Sequence, residues 1–184
     1  MSKLNKKQRE LLLKIARETL ESHLGNKKMP ECKINDPKLN QKLGVFVTLT
    51  KNGRLRGCMG NFEPRTPLWQ TVQKQVIESA IYDPRFPPVT YGELVETKIE
   101  ISVLSRPKKI DDWQKIELGK HGVIISADGQ SGTFLPQVAT ETGWNLEEFL
   151  SQLCSQKAGL PPDCYKNPKT EIFIYTAEVF SEKS

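Results

Sequence analysis

Two short segments carry the residues whose types and spacing could do chemistry: Arg56-Gly57-Cys58-Met59-Gly60 and Asp83-Pro84-Arg85-Phe86-Pro87-Pro88. In the first, a thiol stands between two glycines and two residues from a guanidinium. A nearby cation favours thiolate, the nucleophilic form, so Cys58 is the candidate catalytic residue. Arg56 and Arg85 lie in glycine-loosened and proline-fixed backbone, and a guanidinium fork can grip a carboxylate or phosphate through paired N–H groups. Together with Gly57 and Gly60 they are the candidate ligand-binding residues. Gly57 and Gly60 are costly inside a strand; they let the chain bulge or let another group come close. The same residues also have structural readings. Cys58 can be a small buried side chain, Arg56 can pair with a local carboxylate, and Asp83 can end a helix with Arg85 bonded to it. His121, beside Gly122, reads as a strand-start residue rather than a base, and His23 falls in the last turn of a helix, where the dipole favours it.

Other catalytic signatures are missing: the sequence contains no P-loop, GxGxxG, GxSxG or HExxH pattern. The cysteines stand at 32, 58, 154 and 164 without a CxxC pair, and there are only two histidines, so no zinc or iron–sulfur site is legible and no cofactor is implied. A chain of this length buries roughly 70% of its unfolded surface and needs no disulfide or metal to stay folded. Reduced thiols are therefore expected. No apolar run is long enough for a membrane span, and the basic start MSKLNKKQRE leads into an amphipathic helix rather than an apolar signal core, which places the protein in the cytoplasm. The net charge of +5 leaves phosphate or nucleic-acid binding open, but Lys6, Lys7, Arg9, Lys14 and Arg17 alternate with Glu10, Glu18 and Glu21. That interleaving reads as a solvated mixed-charge face, against a nucleic-acid partner.

The elements that must position these residues follow from periodicity. Leu11, Leu12, Ile15, Ala16, Leu20 and Leu24 lie on one face of a first helix, capped by Asn5 with Gln8 and closed by a left-handed Gly25. Val45–Thr50 alternates, turns at Asn52-Gly53, and returns through the Cys58 segment as a hairpin. A second helix, with Thr66 as cap and Pro67 at its first position, carries Leu68, Val72, Val76 and Ala80 and ends at Asp83-Pro84. Thr90 to Glu93 reads as the capping box of a short helix, and Ile99, Ile101 and Val103 alternate along a strand. Residues 121–126 form a further strand, Asp128-Gly129 a turn, and Thr133–Val138 a return strand interrupted by Pro136, which implies an edge or a bend. Asn145 caps the last helix, which Gly159 closes, and Glu171–Phe180 alternates as one final strand. Hairpins mixed with helices predict an α+β fold, a mainly antiparallel sheet flanked by helices, rather than repeated βαβ units.

At these residues the sequence resembles the AMMECR domain family, which in prokaryotes includes AmmeMemoRadiSam system protein A. The matching segments are Gly44–Leu49 with Leu55-Arg56-Gly57-Cys58-Met59-Gly60, then Asp83-Pro84-Arg85-Phe86 with Pro88. Glu100–Leu104, Gly122-Val123, Phe134–Val138, Cys154 and Lys157–Leu160 follow in family order, from about residue 8 to 180, as a single AMMECR-type domain of the 184-residue chain. The motif usually ends Ile-Gly, and here Met59 replaces the isoleucine. The resemblance implies an α+β fold with a larger and a smaller subdomain, and a cleft faced by the Arg56–Gly60 segment. It assigns no reaction. It implies a pathway shared with Memo-type and radical-SAM proteins. Three functions remain open on the sequence: an accessory or binding protein holding a small anionic ligand or a partner's segment, a cysteine-dependent enzyme using Cys58, and a nucleic-acid-associated regulator.

Overall fold

The computed structural model describes residues 3–182. The chain divides into two compact units. The larger comprises the residues up to Leu104 together with those from Glu178 onward; the smaller is Ser105–Ala177. The family resemblance spans both.

The larger unit is built on an antiparallel sheet of four strands, β1 (Val45–Lys51), β2 (Arg54–Asn61), β3 (Thr97–Leu104) and β8 (Ala177–Ser181), in the order β2-β1-β3-β8. Two helices, α1 (Lys6–Leu24) and α2 (Leu68–Ile81), pack on one face. Their apolar stripes meet Val45, Val47, Leu49, Ile99, Ile101 and Val103, all fully buried. Burying one such side chain contributes roughly 1.5–3 kcal/mol, so this alternation fixes which side of β1 and β3 faces the helices.

The Asn5–Gln8 capping box of α1 is present. Gly25 does not close the helix in the left-handed region, having φ −86°; that conformation falls on Asn26, at φ 52°. In α2 Pro67 stands at the cap itself rather than the first helical position, and the Thr66 hydroxyl turns to that of Thr71, 3.0 Å away. Asn52 and Gly53 both have positive φ, as the two-residue hairpin turn requires. Thr90 and Glu93 form their capping box, on the 3-10 turn Tyr91–Glu96.

The smaller unit holds a second antiparallel sheet, formed by β4 (Lys108–Ile110), β5 (Gly122–Ala127), β6 (Gln130–Phe134) and β7 (Glu171–Tyr175), in the order β4-β7-β5-β6. Helices α3 (Pro136–Thr142) and α4 (Leu146–Gln152) complete it, and a π-helical turn, Leu153–Ala158, continues α4. Val123, Ile125, Phe134, Phe149, Leu150 and Leu153 form its core.

Three expectations are corrected here. The return strand stops at Phe134, because Pro136 opens a helix instead of bending a strand; proline suits a first helical turn, where its missing N–H costs nothing. The final strand is two strands, β7 and β8, which belong to different sheets. Lastly, Cys154 and Cys164 are joined as a disulfide, with Cα atoms 6.2 Å apart, whereas Cys32 and Cys58 are free. The sequence predicts four reduced thiols.

Candidate functional site

Cys58 owes its position to one irregularity. Across the hairpin Lys51 faces Arg54 and Thr50 faces Leu55, but Leu49 faces Gly57 and Thr48 faces Cys58. Arg56 is therefore the extra residue of a β-bulge. The bulge moves Cys58 from the helix-facing side of the sheet to the other, in one row with Thr48 on β1 and Glu100 on β3. All three are half-buried. The next row is Gly60, Phe46 and Ser102.

The two glycines serve packing. A Cβ on Gly57 would lie 2.0 Å from the Ser79 carbonyl oxygen, so this glycine lets the α2 backbone touch β2. There the buried Ser79 hydroxyl accepts from the Met59 N–H at 2.9 Å and reaches the Val47 carbonyl at 2.7 Å, bridging the two strands. A Cβ on Gly60 would fall 2.3 Å from the Phe46 ring, which lies over the glycine. Phe46 in turn meets Phe62 edge-on at 5.1 Å.

The bulge aims Arg56 sideways. Its Nε and Nη2 donate to the two oxygens of Glu93, at 3.0 and 3.1 Å, and its Nη1 and Nη2 donate to the carbonyls of Pro87 and Pro88. Every nitrogen of this guanidinium is thus engaged. Glu93 also accepts from the Thr90 N–H at 2.9 Å and has Lys51 within 3.5 Å. The paired donation from Arg56, aided by the Thr90 N–H, holds the Glu93 carboxyl down at about 2.

Arg85 is tied to a different acid. Asp83 is buried, and its carboxylate accepts from the Cys58 N–H at 2.8 Å, the Arg85 N–H at 3.1 Å, and Arg85 Nε and Nη2 at 2.9 and 2.7 Å. Hydrogen bonding from Arg85 is the main cause that keeps Asp83 well below the usual carboxylate range. Arg85 Nη2 also donates to the Cys58 carbonyl at 3.3 Å. The Asp83–Arg85 pair therefore satisfies both backbone groups of Cys58 on the outer side of β2, where a neighbouring strand would otherwise bond. More than half of the Arg85 side chain stays exposed, and its Nη1 makes no hydrogen bond among the described residues.

The sequence predicts that Arg56 and Arg85 hold one anion together. The structure gives each its own carboxylate, and of the two only Arg85 has a nitrogen without a hydrogen bond among the described residues. Cys58 Sγ lies 3.3 Å from the Thr48 hydroxyl. Burial pushes the thiol above its ordinary value, and this outweighs the opposing effects of Thr48 and Arg85. The residue that the sequence left beside Arg56 thus sits in surroundings that favour the neutral thiol. Asp83 and Glu93 were legible only as turn and cap residues, while Ser79 and Thr48 carried no signal apart from their place in apolar alternation. Among the described residues no group of three or more acids, histidines or cysteines could hold a metal ion.

In the smaller unit His121 is nearly buried, and its Nδ1 accepts the Glu117 N–H at 3.1 Å. Burial lowers its pKa. This is a strand-start residue closing a turn. No helix among the described residues is long and apolar enough to cross a membrane.

The fold and these residues define an α+β protein of two antiparallel sheets, with a bulged Arg-Gly-Cys strand tied to an Asp-Pro-Arg loop. The AMMECR1 family model matches residues 13–180, and the chain belongs to that family. It is 43% identical over 178 residues to Protein NEQ441 of Nanoarchaeum equitans, an alignment covering 93% of this chain and 98% of that one. It is also 43% identical over 190 residues to Protein MK0488 of Methanopyrus kandleri, covering 98% and 91%. The crystal structure of the uncharacterized protein PH0010 from Pyrococcus horikoshii matches with a TM-score of 0.89 at 41% identity, over 98% of this chain and 94% of that one.

Proposed function

We propose that the chain is an accessory binding protein that takes a carboxylate- or phosphate-bearing ligand, or a partner's acidic segment, at Arg85 beside Cys58. The observation that carries this reading is the state of Arg85: a buried carboxylate holds it in place through two nitrogens, the third makes no hydrogen bond among the described residues, and more than half of the side chain is exposed. Such preorganisation removes the rotamer entropy that an exposed arginine loses on binding. A pathway shared with Memo-type and radical-SAM proteins fits this reading as the source of the ligand or segment. Reaction at Cys58 fits less well, because the thiol is kept neutral and its side-chain partner is a hydroxyl rather than a base. Duplex nucleic acid fits less well too, since Lys6, Lys14, Lys28 and Lys74 each lie beside a glutamate one helical turn or less away.

The test is titration of inorganic phosphate and of acetate, followed by amide shifts, into the wild type, Arg85→Lys and Cys58→Ser. Saturable shifts at the Asp83–Pro88 loop are expected in the wild type and in Cys58→Ser. Binding at least five-fold weaker is expected in Arg85→Lys, which keeps the charge but loses the fork. Equal binding by Arg85→Lys, or none by the wild type, refutes the reading.

A further inference from the structure

The smaller unit contains a feature that the proposed site does not use. Cys154, on the π-helical turn, is fully buried, and Cys164, which opens the 3-10 turn Cys164–Lys166, is nearly so. Their disulfide fastens the segment 161–170 to the helix. That segment forms walls of two cavities. One, of about 640 Å³, is lined by Trp113, Tyr165, Lys166, Asn167 and Thr170 among others; the second, of about 360 Å³, shares Lys166, Asn167 and Thr170 and is bordered by Cys164 itself.

Apart from the core contacts of Cys164 and Tyr165, little else holds the segment. Its backbone hydrogen bonds among the described residues stay inside it: Cys164 to Pro161, Lys166 to Asp163, Asn167 to Cys164 and Thr170 to Asn167. Its hydrogen bonds to the rest of the unit run from the Tyr165 hydroxyl at 3.3 Å and from Lys166 Nζ at 3.2 Å, both to one oxygen of the exposed Glu147. Tyr165, buried in the core of the smaller unit with its ring edge-on against Trp113, is the remaining anchor besides Cys164 itself. A segment of this kind opens locally at low cost once its covalent tie is cut.

We propose that the Cys154–Cys164 disulfide is a reversible redox latch on the two cavities of the smaller unit, opened by a dithiol reductant. Access fixes the order of attack. The reductant's thiolate enters through the smaller cavity and bonds to Cys164 Sγ. The electron pair of the breaking bond goes to Cys154 Sγ, which takes up a proton in its buried position. The reductant's second thiol then displaces Cys164 and closes the reductant's own disulfide. Two electrons and two protons pass to the protein, and the reductant is oxidised by the same amount.

The experiment treats the folded full chain with dithiothreitol without denaturant. Iodoacetamide then counts the freed thiols by mass, and limited trypsin digestion reads cleavage after Lys166 and Lys169. The expected result is modification of both Cys154 and Cys164, with cleavage in the segment at least ten-fold faster than in the untreated protein and restored to the slow rate on reoxidation. In addition, Cys164 in a Cys154→Ser variant should react at least ten-fold faster than Cys154 in a Cys164→Ser variant. The proposal is overturned if reduction requires denaturant, if reduction leaves cleavage in the segment unchanged, or if protein alkylated during cell lysis never carries the disulfide.

Discussion

Replacing Gly57 with alanine tests the account of the bulged strand. The new Cβ would lie 2.0 Å from the Ser79 carbonyl oxygen, where real Cβ contacts essentially never come below 3.0 Å, so α2 or β2 must shift by about 1 Å. That shift separates the Ser79 hydroxyl from the Met59 N–H and the Val47 carbonyl, now 2.9 and 2.7 Å away. Leaving buried backbone groups without partners costs about 1–3 kcal/mol. Overpacking at a closely fitted contact adds about 1–3 kcal/mol. The combined loss is about 4 kcal/mol, and at roughly 2–4 °C per kcal/mol for a chain of this size the Tm falls by about 10 °C. Urea unfolding at pH 7, followed by circular dichroism, measures it. Gly92→Ala is the control: it has no neighbour within 4 Å and ordinary backbone angles, so it should change stability by less than about 1 kcal/mol. A Gly57→Ala protein within about 1 kcal/mol of the wild type would mean that the close approach of α2 is not what this glycine provides.

Three further outcomes are expected. Glu93, at about 2 in the folded state against 4.5 normally, contributes stability that is present above pH 4.5 and lost as pH falls toward 2. Glu93→Gln should therefore lose about 3 kcal/mol at pH 7 and almost nothing near pH 2, a difference that urea titrations at the two pH values would read. His121, whose pKa burial lowers, stabilises through its neutral form: stability is full above pH 6.5 and falls as pH drops through the lower folded value. A ring titration by NMR at or above 6.5 would refute this. Cys58, its thiol raised by burial, should react with iodoacetamide at pH 7.5 at least ten-fold more slowly than a small free thiol, with a rate that climbs above pH 9. A rate equal to that of the free thiol would revive the nucleophile reading.

Much of the framework was readable from periodicity, because helix and strand faces are set by burial. The stripes of α1 and α2, the Asn52-Gly53 turn and the Ile99–Val103 alternation all report one buried side. The face on which Cys58 lies was not readable. Counting back from the two-residue turn places it opposite Val47, toward the helices, and only the extra residue at Arg56 turns it to the other side. The acids that receive Arg56 and Arg85 were hidden for a related reason. Glu93 is 37 residues from Arg56, and the bond depends on the bulge aiming the side chain at the Thr90–Glu96 turn. Pro136 was misread because a proline after alternating residues fits a strand's edge as well as a helix's first turn. The break at Thr176 lies inside an unbroken alternation, which carries no mark of a change of sheet.

That change of sheet has a consequence for synthesis. β8, an edge strand of the larger unit, follows the smaller unit in the sequence. Glu178 accepts the Leu4 N–H and Glu182 receives Arg17, so the first helix is fastened by residues translated after the whole of the smaller unit. The smaller unit, by contrast, is one continuous stretch, and its ends meet where Ser105 N–H donates to the Thr176 carbonyl and Thr176 N–H to the Ser105 hydroxyl. As the chain leaves the ribosome, the second-encoded unit is complete first, while the earlier one waits with an unpaired edge on β3. Nascent larger units are thus exposed to pairing with one another at that edge until β8 arrives.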